Sequence, residues 1–200
     1  MFRLLGTMAR LWFFQNWMYA GAVAGLFLLA VLPLFAASWS PALVAVFLML
    51  PAYMVHQVEE HAGDRFRRFV NKRVAGVPNA LTTPAVVLVN VPLLWGVDLV
   101  ALYLARFVAV GWGLIAVYLV LVNAVVHVVG ALALRAYNPG LVTAIAVFLP
   151  LGIWAALTVG AVPEVTATQH AVALAFAVLV HAGLAAFVLH RAKRLRAAAG

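Results

Sequence analysis

Six apolar segments, each close to the length of about 20 residues that spans a bilayer as a helix, constrain this chain most. They are joined by short connections. Only 9% of the 200 residues are charged, against about a quarter in soluble domains. We therefore predict an all-α, polytopic membrane helix bundle, folded as one domain over residues 1–200. The predicted spans are residues 18–36, 41–61, 83–104, 110–134, 141–162 and 168–190.

The segment before the first span has a different composition. Residues 2–16 place Arg3, Arg10 and Trp12 among apolar side chains, a pattern typical of a helix that lies in the membrane interface. We expect a short interfacial helix there, retained ahead of the first span.

The basic residues predict the orientation. In a six-span arrangement, twelve of the 13 Lys and Arg residues fall on one side, and only Arg106 falls on the other. Because cytoplasmic loops carry the excess of positive charge, we expect both termini in the cytoplasm, with the protein in an inner membrane of bacterial type. The net charge of +8 flanks the spans, so we expect contact with anionic membrane lipids and no nucleic-acid partner.

The end of the second span contains two of the five acidic residues, in the run His56-Gln-Val-Glu59-Glu60-His61. In a helix, Glu59 and Glu60 follow His56 by three and four positions, so both carboxylates lie on its side. His61 is expected to point away from His56. Ionisable groups inside a membrane are costly, which favours a functional site over a structural hydrogen-bonded cluster.

Other polar residues fall at the same depth. From the helical rise, His56, Asn90, His127 and His181 lie about 8 to 13 Å from one end of their spans. Asn123 precedes His127 by one turn and faces the same way. Interhelical hydrogen bonding is the alternative for that pair, and a satisfied core histidine is the alternative for His181.

Asp98 lies nearer the other end of its span, eight positions before Arg106. We expect these two side chains to form an outward-reaching ion pair.

Three short motifs complete the pattern: His56-x-x-Glu59-Glu60, Asn123-x-x-x-His127 and Tyr137-x-Pro-Gly140. Together, and in this order, they resemble the signatures of the HXXEE-motif membrane proteins, and the match spans most of the chain. The resemblance implies that the motif residues form a common site. It adds Tyr137 to Glu59, Glu60 and Asn123 as candidate catalytic residues, and it implies no particular reaction.

The leading functional hypothesis is a metal-dependent enzyme that acts on a lipid or another apolar molecule entering from the bilayer. The chain has no Cys, so the candidate ligands are His and carboxylate groups: His56, Glu59, Glu60, His127 and His181. Zinc would suit a hydrolase and iron an oxidoreductase, with the Glu that is not a ligand as general base.

Three alternatives stay open on the sequence. The first is a metal-free enzyme in which Glu and His move a proton on an apolar substrate, as in an isomerase. The second is a proton- or metal-coupled transporter, because intramembrane His and Glu also form proton relays. The third is a structural membrane protein.

Overall fold

A computed structural model describes the backbone of residues 2–199 and the side chains of residues 12–199. The described residues contain no β-strand, and six of the helices are long and apolar enough to cross a membrane. The all-α, polytopic prediction is therefore confirmed. The helices are α1 (Phe2–Ala36), α2 (Pro41–Ala75), α3 (Thr83–Phe107), α4 (Val110–Leu134), α5 (Leu141–Gly160) and α6 (Ala167–Ala197).

Two helices run further than the sequence pattern predicted. No break separates the expected interfacial segment 2–16 from the first span, because α1 is continuous over Phe2–Ala36. Whether its first turns lie in the interface stays a prediction. Helix α2 continues past His61 but bends at Gly63 and Asp64, whose φ angles are 61° and 62°. This bend turns the basic segment, residues 65–75, away from the axis of the second span.

Ser and Thr side chains cap the N-termini of α2 and α6. The Ser40 hydroxyl accepts from the Leu43 amide at 3.2 Å, and Pro41 occupies the first turn of α2. The Thr166 and Gln169 side chains form a reciprocal capping box at the start of α6. These contacts satisfy amide groups that have no partner within the helix.

Helix α4 lies at the centre of the bundle, where it packs against α2, α3, α5 and α6. Its buried side chains, including Leu119, meet Met49 and Tyr53 of α2 and Phe148 of α5 in the main apolar core. Large apolar side chains such as Phe27 and Leu179 are exposed on the outside of the bundle, as expected for a surface that faces lipid.

The end of α6 is attached to the last residue of α2 and to the connection between α2 and α3. Arg191 donates to the Asn79 carbonyl at 3.0 Å, and Arg196 donates to the Ala75 carbonyl. Asn71 exchanges two hydrogen bonds with the backbone of Leu81, at 2.8 and 2.9 Å. These bonds hold α2, α3 and α6 together at one end of the bundle.

The expected ion pair between Asp98 and Arg106 is wrong. Asp98 is only 2% exposed, and neither of its carboxyl oxygens has a hydrogen-bond partner among the described residues, whereas Arg106 is exposed. Asp98 lies on the buried face of α3 with Ala101 and Ala105. Eight positions along a helix turn a side chain by about 80°, so Arg106 falls off that face.

Candidate metal centre

Glu60 lies at the middle of a buried cluster of histidines. Its Oε2 is 3.6 Å from His56 Nε2 and 3.1 Å from His61 Nε2, and its Oε1 is 3.7 Å from His127 Nε2. All four residues are at most 5% exposed. The ligand atoms of His56, Glu60 and His127 all lie within 4.8 Å of one another.

The other nitrogen of His56 is held by Thr143, the third residue of α5. His56 Nδ1 lies 2.7 Å from the Thr143 hydroxyl oxygen, and that hydroxyl lies 2.5 Å from Glu59 Oε2. A carboxylate only accepts hydrogen bonds, so the hydroxyl donates to Glu59 and accepts from His56 Nδ1–H. In the neutral imidazole, Nε2 then carries a lone pair.

Asn138 holds the ring of His127 as Thr143 holds that of His56, by a hydrogen bond at Nδ1. The Asn138 amide nitrogen donates to the His127 carbonyl at 2.8 Å, which places its oxygen 2.6 Å from His127 Nδ1. Because an amide oxygen only accepts, Nδ1 is the protonated nitrogen, and Nε2 again carries the lone pair. Such outer hydrogen bonds are the usual means of fixing the tautomer of a metal-binding histidine.

These residues fit a divalent metal ion. Two imidazole lone pairs face one buried carboxylate, and His56 Nε2 has no hydrogen-bond partner among the described residues. Two atoms bound tetrahedrally to one metal at 2.0–2.2 Å lie about 3.4 Å apart. The separations of 3.6 and 3.7 Å from Glu60 to His56 and His127 are close to that value.

Glu59, predicted as a ligand or base, lies outside this cluster. Its Oε1 accepts from the Tyr137 hydroxyl at 2.7 Å and the Val142 amide at 3.1 Å, and its Oε2 accepts from the amide and hydroxyl of Thr143. The two amides belong to the first turn of α5, where a negative charge is stabilised. Glu59 therefore fastens α2 to α5 and orients His56 through Thr143.

The Tyr137-x-Pro-Gly140 loop packs over both histidines. A Cβ at Gly140 would come within 2.9 Å of His56 Cε1 and 2.6 Å of His127 Cε1, and the φ angle of Gly140 is 100°. Partial burial, and then the bond to Glu59, raises the pKa of the Tyr137 phenol, so that it stays a donor at neutral pH. The loop positions the site. Tyr137 itself forms no hydrogen bond to His56, Glu60 or His127.

A cavity of about 300 Å³ borders the cluster and is lined by residues of α2, α3, α4 and α6. His181 and Asn123 line this cavity along with Glu60 and His127, and neither is part of the compact three-ligand group. His181 Nδ1 lies 2.8 Å from the Ala177 carbonyl, one turn earlier in its own helix. Of the predicted metal ligands, His56, Glu60 and His127 come together, while Glu59 and His181 lie outside this three-residue group.

Asn90 belongs to a separate hydrogen-bonded chain between α2 and α3. Its amide oxygen accepts from Gln57 at 2.9 Å, and Gln57 in turn accepts from the Trp95 indole at 2.8 Å. Gln57 is fully buried within the first motif. This chain fixes the face of α2 that carries the cluster.

Sequence reasoning missed three residues of the site. His61 was expected to point away, but the Glu60 side chain reaches between the two histidines, and the His61 ring packs 5.1 Å from that of Trp17. Asn138 is an unspecified position of the third motif, and Thr143 follows that motif by three residues. A polar residue in the first turn of an apolar span was the available signal for Thr143.

The three motifs thus meet in one structure: the first supplies His56 and Glu60, the second His127, and the third the loop that holds them. In agreement, residues 47–155 match the model of a family described as protein of unknown function with HXXEE motif. No curated protein matches the chain, and no solved structure does.

Proposed function

The chain belongs to the HXXEE family, and we propose that it is a membrane-embedded, metal-dependent enzyme acting on a lipid or another apolar molecule. The proposed ligands are His56, Glu60 and His127. This set is narrower than the sequence predicted, because Glu59 has four hydrogen bonds elsewhere and His181 stands apart.

One observation carries the proposal. His56 and His127 each donate from Nδ1 to a fixed acceptor, so both direct Nε2 lone pairs at the same buried carboxylate. Lone pairs and a carboxylate repel one another, and a buried arrangement of this kind needs a positive charge between them. Among the described residues, Glu60 has ionic contacts with His56, His61 and His127 and with no Lys or Arg. A divalent cation supplies that charge.

Two histidines and one carboxylate form a ligand set used by zinc hydrolases and by non-haem iron oxygenases. Zinc or iron bound here would polarise a substrate oxygen or activate water, or in the case of iron would support oxygen chemistry. The residues of the chain have separate tasks: Thr143 and Asn138 orient the ligands, and the walls of the cavity exclude water from them.

His181 is the proposed proton acceptor for the reaction. Its Nδ1 is committed to a backbone carbonyl, which leaves the Nε2 lone pair free on the cavity wall. Glu59, the alternative base, has both oxygens occupied by four donors.

The cavity supports an apolar substrate that enters from the bilayer. Its walls are mainly aliphatic and aromatic, and Val126, Leu134 and Phe187 at its edge are each exposed on the outside of the bundle. Such a lateral opening admits a molecule dissolved in lipid. With the proposed orientation, both termini and the site lie toward the cytoplasmic face, in an inner membrane of bacterial type.

Metal analysis of protein purified without chelators tests the proposal. We expect about one zinc or iron per chain, as a single structural or catalytic site holds, and loss of that metal in His56→Ala, Glu60→Gln and His127→Ala. His190→Ala is the matched control, because His190 is exposed near the end of α6. A wild-type protein that contains no metal and takes up neither Zn²⁺ nor Fe²⁺ would contradict the proposal.

A metal-free acid–base enzyme is the second candidate, favoured by the 3.1 Å separation between His61 Nε2 and Glu60 Oε2. The two atoms do not form a hydrogen bond among the described residues, so a proton would pass between them only after the imidazole or the carboxyl group rotates into line. In that case Glu60→Gln would abolish turnover of an apolar substrate without any metal to lose. Metal content in the wild type therefore separates the two candidates.

A further inference from the structure

The polar groups on the wall of the cavity select among apolar ligands. His181 Nδ1 donates to the Ala177 carbonyl, so the neutral ring offers only an acceptor at Nε2. The side chain is partly exposed and lines the cavity. A ligand that donates a hydrogen bond would pair with this nitrogen, and one that only accepts would not.

The same wall disfavours anions. None of the cavity-lining residues in the described part of the chain is Lys or Arg, while Glu60 contributes a carboxylate. The basic residues near this end are engaged or turned outward: Arg67 pairs with Asp64, and Arg191 and Arg196 bind backbone carbonyls. An anionic head would therefore enter the cavity without a cationic side chain to receive it.

The volume limits the size of the ligand. About 300 Å³ lies at the lower end of the range of small-molecule sites, about 300–1,000 Å³. Phe66, Val70, Leu94 and Val188 are among the apolar side chains that form the walls. This space suits one alkyl or isoprenoid chain better than two.

We propose that the ligand of this cavity is a neutral, single-chain lipid that carries a hydroxyl group, recognised at that hydroxyl by His181 Nε2. This inference rests on the proposed function, in which His181 is the proton acceptor, and it names the substrate class. The hydroxyl donates to Nε2 while the chain lies against the apolar walls. The pairing places the oxygen of the ligand in the cavity that Glu60 and His127 also line.

Photolabelling in phosphatidylcholine nanodiscs tests this proposal. The probe is dodecan-1-ol with a diazirine in its chain, and the competitors are unlabelled dodecan-1-ol, its methyl ether and dodecanoate. We expect labelled peptides from α4 and α6. We also expect dodecan-1-ol to compete about tenfold better than the ether, the worth of one buried hydrogen bond, and dodecanoate to compete less well than the alcohol.

His181→Phe should remove the preference for the alcohol over the ether. Val178→Leu, which changes an exposed apolar residue of α6 that does not line the cavity, should keep it. Equal competition by alcohol and ether in the wild type would overturn the proposal, as would stronger competition by dodecanoate. These wild-type comparisons do not depend on the folding of any variant.

The failure of this inference can be distinguished from that of the metal proposal. The competition is repeated on chelator-treated protein, and the metal content is measured on the same sample. A preserved alcohol preference in a protein that never binds metal would support the ligand class and reject the metal. A metal-bound protein without that preference would support the metal centre and reject the ligand class.

Discussion

Gly140 lies against the imidazole of His127 so closely that a Cβ at this position would come 2.6 Å from His127 Cε1. The backbone of Gly140 also has a φ angle of 100°, which residues other than glycine rarely adopt. The glycine of the third motif is therefore explained by two independent constraints, one steric and one conformational.

Gly140→Ala should lower stability and displace the two histidines. We expect a loss of at least about 1–2 kcal/mol from backbone strain alone, seen as a lower midpoint in a thermal unfolding assay in detergent, together with reduced metal content. Gly183→Ala is the control, because no described atom beyond the neighbouring backbone of its own helix lies within 4 Å of a Cβ there. A Gly140→Ala protein with wild-type midpoint and metal content would show that the loop is not packed as described.

Thr143→Val should weaken metal binding without unfolding the bundle. The substitution keeps the shape of the side chain but removes the hydroxyl that joins His56 to Glu59. Loss of such an outer contact typically lowers metal affinity by about 10–100-fold. Titration with a competing chelator measures the affinity.

Thr158→Val is the matched control for that experiment, because among the described residues the Thr158 hydroxyl bonds only to the Trp154 carbonyl in the same helix. An equal effect of both substitutions would mean that Thr143 acts through general stability of α5. An unchanged metal affinity in Thr143→Val would contradict the proposal that Thr143 orients His56.

Asp98→Leu should stabilise the protein. Both carboxyl oxygens of Asp98 are buried and have no hydrogen-bond partner among the described residues, and leaving a buried polar group unpaired costs roughly 1–3 kcal/mol. A similar-sized apolar side chain relieves that cost, so the thermal midpoint should rise. Arg106→Ala should leave the midpoint unchanged, because the two residues are not paired. A marked fall in the Asp98→Leu midpoint would indicate a partner or a task for this carboxyl group.

The orientation of the chain is tested by reporter fusions. Truncations ending at Lys72 and at Glu164 should place a C-terminal reporter on opposite sides, with the first in the cytoplasm, because the basic residues collect on that side. Activity of alkaline phosphatase and fluorescence of a cytoplasmic reporter give complementary readings. The same reading at both positions would refute the six-span orientation.

The fold was largely predictable because the length and hydropathy of each span can be read from its consecutive residues. The bend at Gly63 and Asp64 was not, since the helical pattern continues on both sides of it. Asp98 shows a related limit. Its distance in sequence from Arg106 suggested an ion pair, but packing decides which face of α3 is buried.

The site was predicted in part. Glu59 and Glu60 are neighbours, and their side chains point about 100° apart on the helix. Which of the two reaches the histidines depends on where α5 begins, and that long-range contact cannot be read from the local spacing. The link through Thr143 was missed for the same reason, because it joins residues 87 positions apart.

That link has a consequence for how the protein is made. His56 and Glu60 leave the ribosome with the second helix, but the groups that align His56 and cover the cluster arrive only with the loop and the first turn of the fifth. A nascent chain of four helices would hold a buried carboxylate and histidines whose orienting partners are still untranslated. Maturation of this centre is therefore expected to be a late event in biogenesis, set by insertion of the fifth helix.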